Sequence, residues 1–262
     1  MQGFAVKYTG DLLFSKYEKS ILSVGAKWWD LQHKEATYNL LGEIAGAGIY
    51  DAIKEVFLFP TNNNAGNFIG LLGKCTVINS GAGTVVFTRK GYIPGSWIET
   101  NVKGGNSIGR KRGIIVSMSD VSNSHTNSGV IGNNPSVAGS GNAIALYTGN
   151  AYYLQDGSDF TGSSELCFRK NHKNGIYSVN RIDDDRVVIS AQGAHKDYVH
   201  AISAVVGPYN YVIGTIPLAG TTMNNMTCNL AAFTEGLDKL AFLTFQQMLK
   251  RWLIATNRYS YN

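Results

Sequence analysis

The side chains best suited to binding a ligand are tyrosines and amides in the middle of the chain. Tyr147, Tyr152 and Tyr153 lie in runs of strand-forming residues, and two polar segments, 120–128 and 133–141, precede them. A saccharide site combines aromatic faces with amide and hydroxyl groups, and loops on a rigid scaffold often supply those groups. The alternative stays open that the tyrosines only pack in a sheet, because aromatic residues favour strands. The candidate ligand-binding residues are Asn123, His125, Asn133, Asn134, Tyr147, Tyr152 and Tyr153.

Acidic residues that cleave a glycosidic bond would have to come from the same region. A glycosidase holds two carboxylates about 5 to 10 Å apart across the sugar. The candidates for such a pair are Asp156, Asp159 and Glu165, which lie near a predicted loop. The sequence contains no nucleophile motif and no phosphate-binding motif. The sequence therefore predicts that the chain is not an enzyme and assigns no catalytic residue, with a polysaccharide-degrading enzyme as the alternative.

Neither the acidic run nor the histidines predict a metal site. Asp183, Asp184 and Asp185 stand between two strand-like runs, and aspartate favours turns because its side chain bonds the nearby backbone. A Ca²⁺ site there is the alternative, since hard cations take several carboxylate oxygens. His195 and His200 are not at a usual metal-ligand spacing. The expectation is no metal and no cofactor, with Ca²⁺ as the alternative at the acidic run.

The charge of the chain is mild, with a net value of +5 over 262 residues. Nucleic-acid binding requires cationic residues gathered in a patch or stripe. The cluster Arg-Lys-Arg at 110–112, with Lys103 nearby, predicts a solvated loop instead, so no nucleic-acid partner is expected. No run approaches the roughly 18 apolar residues of a membrane span, and the N-terminus lacks a secretory signal. Membrane insertion is therefore not expected.

The rhythm of strands and turns predicts the fold class. Turn residues recur about every ten residues in the middle of the chain, which indicates an antiparallel β-sandwich. Helices are predicted at 35–47 and from Asp238 to Ile254, and the apolar face of the second includes Phe245, Leu249 and Trp252. Strands are predicted at 54–59, 113–119, 129–132, 142–147, 151–154, 165–169, 175–180, 186–191, 198–206, 209–216 and 227–233.

Turn chemistry gives two further predictions. The segment 85–101 is predicted to be a strand, a bend and a strand, because Pro94 cannot donate to a ladder and Gly91 permits positive φ. The segments 76–79 and 84–88 are predicted to form a hairpin around the Ser-Gly-Ala-Gly between them.

The N-terminal region is assigned separately from the sandwich. Phe4, Val6 and Tyr8 alternate as a short strand does. Residues 1–35 are predicted to be an appendage or attachment arm, with a plain packed extension as the alternative. Residues 36–262 are predicted to be the sandwich domain with its closing C-terminal helix.

Three segments, taken in order, carry a family resemblance that covers roughly residues 36–250. Together they resemble the concanavalin A-like, laminin-G-type jelly-roll domains of tailed-bacteriophage structural proteins. Between them, 110–211 matches only in its strand rhythm, and the first 35 residues do not match. The segments are AGAGIYDAIKEVFLFP at 45–60 with Asn-Ala-Gly at 64–66, Lys-Gly-Tyr at 90–92 with Ile-Glu-Thr-Asn at 98–101, and LAAF at 230–233 with Gly-Leu-Asp at 236–238 and Phe-Gln-Gln-Met-Leu at 245–249.

The resemblance implies a virion component such as a head fibre, tail fibre or decoration protein. It also implies a homotrimer that contacts other virion proteins and presents a face to a host cell-surface glycan. The family's hydrolases use a Glu-x-Asp-x-x-Glu strand, and the sequence contains none. A polysaccharide-degrading enzyme on the same fold stays the alternative, and a structural capsid or tail protein without a ligand is a third.

Overall fold

Two antiparallel sheets face each other, and a layer of helices covers the outer side of the larger sheet. The structure is a computed structural model. It describes residues 2–81, 83–94, 97–103, 112–120, 128–133, 141–147, 151–157, 167–169, 174–183, 186–191, 193–199, 210–216, 221–222, 226–235 and 237–259.

The elements are numbered in chain order. The helices are α1 Gln2–Ser23, α2 Leu31–Gly46, α3 Asn64–Asn67 and α4 Lys239–Ala255, with a 3₁₀ turn at Tyr50–Ala52. The strands are β1 Ile53–Phe57, β2 Val77–Ser80, β3 Val85–Thr88, β4 Gly91–Pro94, β5 Ile98–Lys103, β6 Arg112–Ser119, β7 Ser128–Asn133, β8 Gly141–Tyr147, β9 Ala151–Gly157, β10 Cys167–Arg169, β11 Gly175–Arg181, β12 Arg186–Ala191, β13 Ala194–Val199, β14 Asn210–Ile213, β15 Thr215–Ile216, β16 Thr221–Thr222 and β17 Thr227–Glu235. For β8, β9 and β10 the structure describes the backbone and its pairing only.

The larger sheet has the strand order β13-β12-β11-β6-β17-β4-β3, with β1 also paired to β17. The smaller sheet has the order β10-β9-β8-β7-β14-β5-β2, and β15 and β16 form a separate ribbon. The pairings within the described ranges are antiparallel. The predicted fold class, a mostly-β antiparallel jelly-roll sandwich with helices at both ends, is confirmed.

The central strand β6 shows how the layers are held together. Its Ile114 and Val116 belong to the core between the sheets, whereas Ile115 belongs to the core under the helices. Successive side chains of a strand point to opposite faces, so both faces of β6 are covered and the whole strand is buried. Burying one such side chain contributes about 1.5 to 3 kcal/mol.

The C-terminal helix α4 covers the larger sheet as predicted. Asp238 caps it by accepting the backbone N–H of Ala241 at 2.8 Å, which satisfies one of the free donors of the first turn. Phe245, Leu249 and Trp252 are buried against the sheet and the other helices. The spacing of these apolar residues gives the helix one buried face.

The N-terminal region is helical, so the predicted short strand at Phe4, Val6 and Tyr8 is wrong. The helix α1 packs closely on α2, where a Cβ added to Gly10 would lie 3.0 Å from the Cα of Gly42. Further along α1, Tyr17 and Ile21 are buried in the core between the helices and the larger sheet. Tertiary packing therefore outweighs the local alternation of the first residues. The role of residues 1–35 as an attachment arm stays a prediction.

The segment 85–101 differs from the prediction, because β4 occupies the expected bend. Tyr92 is buried and its ring packs against Phe59 and Phe87, which draws this stretch into the larger sheet. Pro94 stands at the end of β4, opposite Val85, where a missing donor costs least.

The predicted hairpin of 76–79 with 84–88 is also wrong. Strand β2 pairs with β5 in the smaller sheet, whereas β3 pairs with β4 in the larger sheet. The glycine-rich link between β2 and β3 therefore connects the two sheets.

The prediction of a solvated loop at 110–112 is wrong for its last residue. Arg112 begins β6 and is buried, and the two residues before it lie outside the described residues. The antiparallel pair of β11 and β12 places Arg181 opposite Val187 and leaves Asp183 in the connection, as the predicted turn requires. Asp184 and Asp185 lie outside the described residues.

Candidate functional site

Four of the candidate ligand-binding residues lie on neighbouring strands of the smaller sheet. Asn133 ends β7, Tyr147 ends β8, and Tyr152 and Tyr153 lie near the start of β9. The three tyrosines lie at one end of the β8–β9 pair, whereas Asn133 lies at the other end of β8, because Gly132 pairs with Ala143. The other candidates, Asn123, His125 and Asn134, lie outside the described residues.

The pairing of β8 with β9 fixes the register of the three tyrosines. Tyr147 lies opposite Ala151, Tyr152 lies opposite Leu146, and Tyr153 lies opposite Ala145. Paired residues and alternate residues share one face of an antiparallel sheet. The register positions of Tyr147 and Tyr153 therefore belong to one set, and the position of Tyr152 belongs to the other.

A pair of polar side chains that sequence analysis missed lies in the same sheet. Asn210 donates from Nδ2 to Oε1 of Glu99 at 2.8 Å. The next residue, Tyr211, is the register partner of Asn133, so the pair adjoins the strand of a candidate residue. Glu99 and Asn210 are 111 positions apart, and no local sequence pattern indicates their contact. An amide and a carboxylate side by side suit the hydroxyl groups of a saccharide.

Asp120, the first residue of the polar segment 120–128, is held by neighbouring strands. One carboxylate oxygen lies 3.1 Å from the ammonium of Lys90, and the other accepts the hydroxyl of Thr227 at 3.0 Å. Partial desolvation raises the pKa of Asp120, but the hydrogen bonds from Lys90 and Thr227 outweigh it and hold the pKa below its usual value. Its φ of 57° is left-handed. These contacts fix the end of β6 at Asp120.

A cleft of about 500 Å³ lies between α1 and the loop 70–74. The buried carboxylate of Glu55 holds this loop, accepting the backbone N–H groups of Leu72 at 2.7 Å and of Lys74 and Cys75 at 2.8 Å. Burial raises the pKa of Glu55, and these donors oppose the rise. Gly70 packs so closely that an added Cβ would lie 2.1 Å from Glu55 Cδ. One wall of the cleft is therefore fixed before any ligand arrives.

No metal-binding cluster is present in the described ranges. Within them, no three His, Cys, Asp or Glu side chains are grouped closely enough to hold a metal ion. Asp184 and Asp185 lie outside those ranges, so a Ca²⁺ site at the acidic run stays a prediction. None of the described helices combines the length and the hydropathy that crossing a membrane requires.

Of the three candidate acids for glycoside cleavage, only Asp156 lies within the described residues. Asp156 lies in β9, opposite Asn142 of β8. Asp159 and Glu165 lie outside the described residues. The structure therefore does not bring a facing pair of these acids together within the described part of the chain.

Comparison with known proteins identifies the fold through solved structures. No protein-family model and no curated protein sequence match the chain. A mutant of HCR/D is 16% identical, with 77% of this chain and 52% of that chain covered and a TM-score of 0.50. The binding domain of botulinum neurotoxin serotype D is 11% identical, with 76% and 53% covered and a TM-score of 0.48. An arabinofuranosidase complexed with arabinofuranosyl-α-1,2-xylobiose is 15% identical, with 66% and 41% covered and a TM-score of 0.45.

The chain therefore spans about half, or less, of the length of the structures that it resembles. At these identities a likeness shows the fold alone, and the mutant of HCR/D, with a TM-score of 0.50, carries it. The prediction that the chain is not an enzyme is wrong as it stood, because an arabinofuranosidase is among the structures of this shape. The architecture gives no ground for excluding catalysis, and the likeness assigns no reaction to this chain.

Proposed function

We propose that the chain binds carbohydrate through the smaller sheet and is a component of a bacteriophage virion, as a head fibre, tail fibre or decoration protein. The observation that carries the binding part is the register of β8 and β9, which groups the positions of Tyr147 and Tyr153. Aromatic residues supply the flat apolar surface against which a sugar ring packs, so two tyrosine positions in one register set favour a saccharide ligand.

Two candidate polar residues precede the strand end that adjoins these tyrosines. Asn123 and His125 come before Ser128, which begins β7 and pairs with Leu146, the neighbour of Tyr147 in sequence. Asn133, Asn210 and Glu99 lie towards the other end of the sheet, since Gly132 pairs with Ala143 and Tyr211 pairs with Asn133. A few oriented polar groups beside an aromatic surface give a saccharide site its specificity.

The virion part of the proposal is supported by the position of the three segments that resemble phage structural proteins. In the larger sheet, β1 from the first segment and β4 from the second both pair with β17 from the third. Residues 98–101 of the second segment lie in β5 of the smaller sheet. One strand from each segment therefore meets at β17. We expect a homotrimer that contacts other virion proteins and directs the smaller sheet towards a host cell-surface glycan.

Binding of the purified full chain to an array of bacterial surface polysaccharides tests the first part. Saturable binding to a defined glycan is expected, and silence across the array and on host cells would contradict the proposal. Shortening of the bound polysaccharide would assign the alternative, a polysaccharide-degrading enzyme.

Two measurements test the virion part. Antibody labelling of intact particles is expected to place the chain on the head or the tail, and absence from purified particles would contradict this. Size-exclusion chromatography with light scattering is expected to give the mass of a trimer, and a stable monomer at micromolar concentration would contradict the oligomer.

A further inference from the structure

The cleft between α1 and the loop 70–74 lies in the helical layer, on the opposite side of the larger sheet from β8 and β9. Its volume of about 500 Å³ falls within the usual range of small-ligand sites. Leu13 and Leu71 give it apolar surface, and lysines from both walls stand at its rim. The cleft is thus a separate place at which a ligand can bind.

Lys74 is an oriented cation on the loop wall. Its ammonium donates to the backbone carbonyls of Tyr50 at 2.6 Å and of Ile53 at 2.8 Å, and it lies 4.0 Å from the centre of the Tyr50 ring. An ammonium has three N–H donors, so these two bonds leave one for a ligand. Because its position is fixed, little side-chain entropy is lost when it binds.

Lys16 and Lys19 supply exposed cations from the α1 wall. They are three residues apart on the helix, so they are neighbours on its surface, and both are exposed. Neither forms an ion pair with a described acid, whereas Lys34 pairs with Glu18 at 2.7 Å on another part of the helical layer. The acids close to Lys74 are Asp51 and the buried Glu55, and the latter is bound by backbone N–H groups of the loop.

A buried hydroxyl group adds a further feature to this cleft. Tyr17 is 3% exposed and contributes to the lining, yet its hydroxyl has no hydrogen-bond partner among the described residues. Buried polar groups in native proteins nearly always have a partner.

We propose that this cleft binds an acidic sugar unit, whose carboxylate meets the ammonium groups of Lys16, Lys19 and Lys74. A compact inorganic anion fits less well, because phosphate sites usually cradle the anion with backbone N–H groups. Here the N–H groups of Leu72 and Lys74 are already bound to Glu55. Lysine side chains above apolar surface suit a carboxylate carried on a carbon ring. This site goes beyond the proposed function and does not require the tyrosines of the smaller sheet.

Calorimetric titration of the full chain with glucuronic acid and with N-acetylneuraminic acid tests the proposal, with glucose and inorganic phosphate as comparison probes. We expect saturable, salt-sensitive binding of at least one acid and none of glucose. The charge reversal Lys16→Glu/Lys19→Glu is expected to weaken this binding about tenfold or more, because two rim ion pairs are replaced by repulsion. Both lysines are exposed, so thermal unfolding should be unchanged.

The matched control is Lys27→Glu/Lys103→Glu, which makes the same charge change at two exposed lysines outside the cleft. This control is expected to bind the acid as the wild type does. Equal affinity in the two charge-reversed proteins, absence of binding by both acids, or tighter binding of phosphate than of either acid would overturn the proposal. A Tyr147→Ala/Tyr153→Ala protein is expected to retain the acid, which separates this site from the one on the smaller sheet.

Discussion

The guanidinium of Arg258 donates a hydrogen bond to the backbone carbonyl of Phe59 at 2.8 Å, across 199 positions of sequence. It also donates to the carbonyls of Leu58, Arg89 and Asn229. These four carbonyls come from the end of β1, the turn between β3 and β4, and β17. Burial is the main cause that lowers the pKa of Arg258, to about 9. One side chain after α4 thus ties the helical layer to the larger sheet.

Replacing this guanidinium should cost much of the stability of the protein. Arg258→Met leaves several buried carbonyls without a donor, and we expect the free energy of unfolding to fall by about 3 to 5 kcal/mol. Chemical denaturation followed by circular dichroism measures this. In the control Arg251→Met, an exposed residue of α4 loses its ion pair with Glu43, and the loss should stay below about 1 kcal/mol. Equal losses in the two variants would contradict the role of Arg258.

The stability of the protein should also depend on the carboxylate of Glu55, which holds the loop 70–74. Glu55→Gln replaces one acceptor oxygen with an NH₂ group that faces backbone N–H donors, so we expect a loss of about 2 to 4 kcal/mol. Urea unfolding measures the change. Glu35→Gln, the same substitution at an exposed site on α2, should leave stability within about 0.5 kcal/mol. A Glu55→Gln protein as stable as this control would show that the loop does not depend on the carboxylate.

The pH dependence of stability should reveal the buried His33. Its Nδ1 donates to Asp30 at 2.8 Å, but desolvation, followed by the charge of Arg258, lowers the pKa of His33 below 6.5. Asp30 and Arg89 also face it. As the pH is lowered below about 6.5, His33 becomes protonated in the unfolded chain but stays neutral in the folded chain. The free energy of unfolding therefore decreases as the pH is lowered, by up to about 1.4 kcal/mol per pH unit from this group.

Urea unfolding at several pH values between 7 and 5 measures this dependence. His33→Gln should flatten the slope, because the variant has no proton to gain at this position. His195→Gln, at an exposed residue of β13, should keep the wild-type slope. Parallel slopes for the wild type and His33→Gln would rule out His33 as the origin.

The sequence allowed the central strands and the closing helix to be predicted because their patterns are local. The runs around Ile115 and Leu230 are continuous and apolar, as expected of strands buried on both faces, and both are found in the core. Asp238 and the spacing of Phe245, Leu249 and Trp252 marked the start and the buried face of α4. Such signals need no knowledge of partners.

Features that depend on distant contacts could not be predicted. The helical state of α1 depends on its contact with α2 at Gly10 and Gly42, and β4 is a strand because Tyr92 packs between other rings. The link between β2 and β3 resembled a hairpin because turn residues do not specify which strands pair.

Residue type alone does not indicate the lysine pair on α1. Predicting α1 as a helix would have indicated that pair. Lys16 and Lys19 are neighbours only on a helix. Their relation to Lys74 and Tyr50 required the fold, because the loop 70–74 is positioned by a buried acid elsewhere in sequence. The pair of Glu99 and Asn210 likewise depends on strand order.

One measurement tests the sheet site most directly. Calorimetry compares the affinity of the wild type and of Tyr147→Ala/Tyr153→Ala for a glycan selected on the array. We predict a loss of about tenfold or more, because removing an aromatic anchor costs on the order of 1 to 2 kcal/mol. Tyr38→Ala, at an exposed tyrosine on α2, should bind as the wild type does. Unchanged affinity in the double variant, with its fold intact, would contradict carbohydrate recognition by this face of the smaller sheet.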